Sequence, residues 1–168
     1  KKQFQFKINV TASDFPFSYK SEINFSDGPN YHQLGKGWHW PEKEEDNFRW
    51  IECQAYCYLE ALNNANELRI TGYSTIETKL SIFCEKQIVG IHRTDINQSF
   101  KLRYRLPFTV TEKSLLTVKI CSSRRIVDLE KYDSRELSVQ IASVKIDVAN
   151  EIYRPANKDE EAEFIDYW

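Results

Sequence analysis

Apolar and polar residues alternate with a period of two through most of the chain, the signature of half-buried β-strands. Near the start, Phe4, Phe6, Ile8 and Val10 fall on one face, against Gln3, Gln5, Lys7 and Asn9. Beyond a turn-like stretch from Ser13 to Pro16, Ile23 and Phe25 mark a second, weaker strand. Ile51, Cys53, Ala55, Cys57 and Leu59 then share a face, with Trp50, Tyr56 and Tyr58 on the other. Turn residues Asn63, Asn64 and Asn66 precede Leu68, Ile70 and Gly72; Leu80, Ile82 and Cys84 follow, then Ile88 with Val89. Phe100, Leu102, Tyr104 and Leu106 alternate with Lys101, Arg103 and Arg105, and Leu116, Val118 and Ile120 form the next strand. The last strand reads Leu137, Val139 and Ile141, then Val144, Ile146 and Val148. Its apolar phase flips at Ala142-Ser143, which one extra residue, a β-bulge, would restore.

About eight or nine strands at this spacing predict an all-β fold, an antiparallel β-sandwich of jelly-roll or Ig-like kind. Residues 54–66 also suit a short helix on propensity alone, and that is the competing expectation. From Asp27 to Asp46 the chain is irregular, with Gly28-Pro29, Gly35, Gly37 and Pro41. After Asn150 the composition turns acidic, from Lys158 to Glu163, and ends on the aromatic-bearing stretch Phe164 to Trp168. The predicted organisation is a β-sandwich over residues 1–150 and an acidic tail or linker over 151–168.

A chain of 168 residues has room for one domain with a full core. Its formal charge of −2 gives no long-range field to draw it onto nucleic acid or an anionic membrane. No apolar run approaches the ~20 residues of a membrane helix, so no membrane insertion is expected. With no Met anywhere, the chain reads as a piece of a longer protein or as a processed form.

Few groups suggest catalysis. Cys53 and Cys57 lie four positions apart, which on a strand is ~13 Å, too far to share one metal ion. Cys84 and Cys121 are assigned to the apolar phases of their strands, so the four cysteines read as buried thiols in a reducing, cytoplasmic setting. The alternative is a secreted or cell-surface domain with a Cys84–Cys121 disulfide. Acceptor-type triplets at Asn9, Asn24 and Asn97 keep it open. His32, His39 and His92 show no ligand spacing, and there is no nucleophile elbow, phosphate loop or dinucleotide fingerprint. Loop carboxylates such as Asp46 or Asp133 could hold calcium, but no dense Asp-rich loop supports it. No catalytic residue, metal or cofactor is assigned.

The irregular region carries the most chemistry. Trp38, His39 and Trp40 sit beside Glu42, and Phe48-Arg49-Trp50 opens a strand. Aromatic faces stack on the C–H faces of sugars, while Arg and Glu fix hydroxyls by hydrogen bonds. The competing reading places Trp38 and Trp50 in the core, with Arg49 paired to a carboxylate. Lys101, Arg103 and Arg105 form a basic stripe, read as a solvated outer face. Around Asp133-Ser134-Arg135-Glu136 a structural salt link is preferred to a ligand contact.

The order Gly37-Trp38, Glu42, Phe48-Arg49-Trp50 and Ser134-Arg135-Glu136-Leu137 resembles an accessory β-sandwich of bacterial cell-surface glycan proteins. Such modules accompany glycosyltransferases and sugar methyltransferases. The likeness runs from about Gly37 to Val148. It departs at Glu85-Lys86, where Asn-Gly is common, and at Ser138, where glycine is common. The resemblance implies a noncatalytic companion domain that binds carbohydrate or docks an enzyme. The expected partners are therefore a glycan or oligosaccharide and the adjacent catalytic domain of a longer chain. The expected ligand contacts are Trp38, Trp40, Glu42 and Arg49, joined by Arg135 and Glu136. A protein–protein or interdomain scaffold without sugar binding is the alternative.

Overall fold

The computed structural model describes residues 18–28, 31–126 and 135–149. The expected strand from Phe4 to Val10, Asp133, Ser134 and the acidic tail lie outside them. The described residues form nine strands: β1 (Glu22–Asn24), β2 (Arg49–Trp50), β3 (Gln54–Ala61), β4 (Glu67–Ser74), β5 (Thr78–Cys84), β6 (Gln87–Thr94), β7 (Gln98–Arg105), β8 (Ser114–Ser122) and β9 (Gln140–Asp147). The only helical segments among the described residues are two single 3-10 turns, Phe25–Asp27 and Tyr31–Gln33.

The strands form two antiparallel sheets. One runs β1-β9-β4-β7 with β2 also on β9, and the other runs β3-β8-β5-β6. The fold is thus an antiparallel β-sandwich, as the alternation predicts. Residues 54–61 form a strand paired with β8 along its whole length, so the helical alternative fails there. Tyr56 and Tyr58 suit the pleat, and burial of Ala55, Cys57 and Leu59 against β8 outweighs the helix-forming Ala, Leu and Glu of this segment.

Inward residues alternate along the long strands. Ala55, Cys57, Leu59 and Ala61 on β3 meet Leu116, Val118 and Ile120 on β8 and Leu80, Ile82 and Cys84 on β5, all buried. From the opposite sheet, Leu68, Ile70, Leu102, Val144 and Ile146 close the same core. Each fully buried Leu or Ile contributes roughly 1.5–3 kcal/mol by leaving water.

Two bulges adjust the phase. Thr71 pairs with Ser143 and Gly72 with Ile141, which leaves Ala142 as the extra residue of β9. This is the bulge the phase flip predicts, and it keeps both Ile141 and Val144 inside. It also marks a change of partner: β2 pairs with Gln140 and Ile141, and β1 with Ser143 to Lys145, end to end along one edge. In the β5–β6 hairpin, Ile82 pairs with Gly90 and Phe83 with Ile88, so Val89 is extra; it is buried while Ile88 is exposed. The two-residue turn between them places both Glu85 (φ 50) and Lys86 (φ 67) in the left-handed region.

Three expectations change. The apparent strand from Ile51 to Leu59 breaks at Glu52-Cys53, where the chain leaves β2 in one sheet and enters β3 in the other. Phe25 begins a 3-10 turn, capped by the Asn24 side chain accepting from Ser26 N, instead of continuing β1. Cys121 lies between the inward residues Ile120 and Ser122 and so faces outward, half-buried. Cys84 faces inward on a neighbouring strand, so the two thiols are on opposite faces of one sheet and cannot form the disulfide. All four cysteines are free.

Candidate functional site

The segment from Tyr31 to Trp40 is irregular in sequence but is tied to both sheets. Gly35 N donates to Tyr56 O (2.8 Å) and Tyr56 N to Lys36 O (2.9 Å), which lays the segment along β3. Glu52 N donates to Gly37 O (2.8 Å) and His39 N to Trp50 O (2.9 Å), which carries it across to β2. Gly37 makes the crossing feasible: its φ is +90°, and a Cβ there would sit 1.8 Å from Gln54 O. Only glycine fits both constraints.

This course frames a cleft of 180 Å³ whose walls include Tyr31, Trp38, His39, Trp40 and Arg49. Tyr31 and Trp40 form its outer wall. Their ring centroids are 5.2 Å apart at an interplanar angle of 44°, and they are 52% and 75% exposed. Trp38 is anchored: its indole N–H donates to Tyr56 O (2.7 Å) and its ring packs 5.6 Å from Phe25. Here the competing core reading holds in part, since Trp38 packs against the core while also lining the cleft. Trp50 is half-buried, edge-on to Phe48.

Arg49 is only 4% exposed, and no carboxylate among the described residues pairs with it. Its guanidinium lies 4.9 Å over the Phe25 ring, and Nη1 donates to Phe48 O (2.8 Å) and Asp46 O (3.4 Å). The expected ion pair is therefore replaced by two carbonyls and an aromatic face.

The remaining expected contacts flank the cleft without lining it. Glu42 and Arg135 pair with each other at 2.8 Å in an exposed salt bridge, so Arg135 forms a salt link with a partner outside its own stretch. Glu136 turns to Cys53: its Oε1 accepts from Cys53 N (3.4 Å), and its main-chain O is 2.8 Å from His39 Nε2. The hydrogen bond with the Cys53 thiol holds the Glu136 carboxyl below the usual range. Burial, with that same carboxylate next, pushes the Cys53 thiol up to about 11. The six residues thus gather at one end of the sandwich, three in the cleft and three bracing the loops beside it. Tyr31 was not singled out by the sequence, because a lone tyrosine in an aperiodic stretch carries no signal of its own.

A wider groove of 520 Å³ runs past Asn64, Asn66, Arg105 and Thr109, but its aromatic residue, Phe108, packs against the core. Among the described residues no group of three His, Cys, Asp or Glu could hold a metal ion. The Asp46 carboxylate accepts from Lys43 N (3.0 Å) and so closes its own turn. No helix of the described residues is long and apolar enough to cross a membrane.

No family model and no curated relative matches the chain. Among solved structures, the chain is similar to a family 29 carbohydrate-binding module, at 14% identity and a TM-score of 0.44, over 83% of this chain and 99% of that one. A family 6 carbohydrate-binding module gives 11% identity and a TM-score of 0.39 over 82% and 91%. A family GH115 4-O-methyl-α-glucuronidase, with specificity for decorated arabinogalactans, gives 8% and 0.44 over 79% of this chain. The chain spans 18% of that enzyme's length.

Proposed function

We propose that this chain is a noncatalytic carbohydrate-binding module, and that its ligand enters the cleft beside Trp40. One observation carries the reading. Tyr31 and Trp40 stand exposed as an aromatic wall, with an Arg and a His on the same cleft, the pairing of apolar face and few directed polar groups that sugar recognition needs. At 180 Å³ the cleft is smaller than the ~300–1,000 Å³ clefts of drug-sized ligands, which favours a single sugar unit or chain end. The module would serve a catalytic domain of a longer glycan-assembly or glycan-processing protein. The test is a glycan-array screen followed by calorimetry of wild type and Trp40→Ala. Saturable binding lost in the variant supports the reading, and a folded domain that binds no glycan overturns it.

A protein–protein or interdomain scaffold is the second reading, and one feature favours it. Tyr56, Lys119, Phe83 and Ile88 form a register-matched row across all four strands of the β3-β8-β5-β6 sheet. Lys119 Nζ lies 5.6 Å from the Tyr56 ring and 5.3 Å from the Phe83 ring, and Ile88 is exposed. Such a face suits a packed neighbour. Sedimentation of the purified domain, with Ile88→Lys as the contrast, would show self-association if that neighbour is a second copy.

A further inference from the structure

Resting on the carbohydrate-binding reading, we infer that the ligand is an acidic sugar whose carboxylate is received by Arg49. A guanidinium has five donors in a fixed planar fork. In Arg49 Nη1 is engaged by the Phe48 and Asp46 carbonyls, and one face of the group is covered by Phe25. Nε and Nη2, the edge that matches a carboxylate with two parallel hydrogen bonds, donate to no described group.

Arg49 is buried as a whole, while Nε and Nη2 are not among the buried unpaired atoms and so keep contact with solvent from the cleft that the residue lines. A cation taken out of water is costly unless it is paired and hydrogen-bonded, and Arg is rarely buried otherwise. Two carbonyl oxygens and a ring face offset part of that cost and leave the formal charge in place. The residue nevertheless lines the cleft, and no described lining residue is acidic. No described carboxylate pairs with Arg49, and three of those around this end of the fold have other partners. Glu42 is held by Arg135, Asp46 closes its own turn, and Glu136 is bound to Cys53. Among the described residues the cleft thus holds a guanidinium that no carboxylate pairs, beneath an aromatic wall. A pyranose ring stacked on Trp40 or Tyr31, carrying a carboxylate at its edge, matches both parts; a neutral sugar matches only the aromatic part.

The experiment is a glycan array printed as matched pairs, each uronic or sialic acid oligosaccharide beside its methyl-esterified twin. Calorimetry follows on the best pair with wild type, Arg49→Lys and Trp40→Ala. The expected result is binding of the acid form at least tenfold tighter than its ester. Arg49→Lys should narrow that ratio, since an ammonium keeps the charge and loses the fork, and Trp40→Ala should weaken both forms. Equal affinity for acid and ester overturns the assignment to Arg49 while leaving a carbohydrate module. No binding to either form overturns both. The wild-type comparison decides between these outcomes even if the buried arginine proves necessary for folding.

Discussion

Arg103 on β7 grips Glu67 on β4 with a two-pronged fork, Nε to Oε1 at 3.1 Å and Nη2 to Oε2 at 3.0 Å. Arg69 donates to the same Oε1, and Arg69 and Arg103 are register partners across the two strands. One nearly buried carboxylate thus bridges two cations that would repel each other, offsetting one of their two charges, so the basic stripe is in part an ion-pair network. Both arginines are more than a third exposed, so solvent screens the pairs. Glu67→Gln is expected to cost about 1 kcal/mol, less in high salt. Denaturant titrations at low and high ionic strength check both the loss and its narrowing.

The β5–β6 turn is the clearest place to gain stability. Two left-handed residues in a two-residue hairpin call for Asn-Gly chemistry, and the chain supplies Glu85-Lys86. Glu85 has compensation, since its Oε1 accepts from Thr117 N at 2.7 Å. Lys86→Gly therefore relieves strain without losing that bond. It should stabilise the domain by about 1 kcal/mol, read as a raised denaturant midpoint with an unchanged slope.

Gly37→Ala should act in the opposite direction. The new Cβ would strike Gln54 O and approach Ala55 Cα to 2.8 Å, backbone atoms of a strand that cannot yield. A loss of about 3 kcal/mol or more is expected, with an altered near-UV signal from Trp38 next to it.

The thiols should separate by reactivity. Cys57 and Cys84 flank Val118 inside the core. Burial pushes Cys84 up to about 12, Cys57 higher still, and Cys53 to about 11. At pH 8 a disulfide reagent should modify Cys121 first and leave Cys57 and Cys84 untouched until the protein unfolds. Raised thiol values mean that the folded state holds protons which the unfolded chain releases above about pH 8.5. Stability should therefore fall as pH rises from there toward the folded-state values. Thermal melts between pH 8 and 11 test this, and Cys57→Ala should flatten the slope.

Acid should act through Glu136. Its carboxyl is lowered by the Cys53 thiol bond, so its contribution is present above the ordinary carboxylate range and lost as pH falls through the lower folded value. Glu136→Gln should reduce the loss of stability between about pH 5 and 3. A direct NMR titration of the Glu136 carboxyl measures the shift itself.

How much of this was legible depended on whether the signal was periodic. The bulge at Ala142 could be read because a strand must keep one face inward, and the apolar phase flips there. The corner at Glu52-Cys53 could not, because Ile51 and Ala55 stay in phase across it, and period-2 patterning says nothing about which sheet a strand joins. Trp38, Trp40 and Arg49 stood out by residue type. The deep placement of Arg49 did not, since an arginine beside a carboxylate-rich stretch reads as a paired surface group. Tyr31 reached the cleft through main-chain pairing that leaves no mark in the side-chain order.

That pairing has a consequence for binding. The loop that carries Trp40 is laced to β3 at Gly35 and Lys36 and to β2 at His39. A guest would meet a wall already set in place, with little chain freedom left to surrender on contact. Its affinity should then be governed by how well it sheds water and meets the guanidinium, and the amides of Gly35 and His39 should resist hydrogen exchange as well empty as filled.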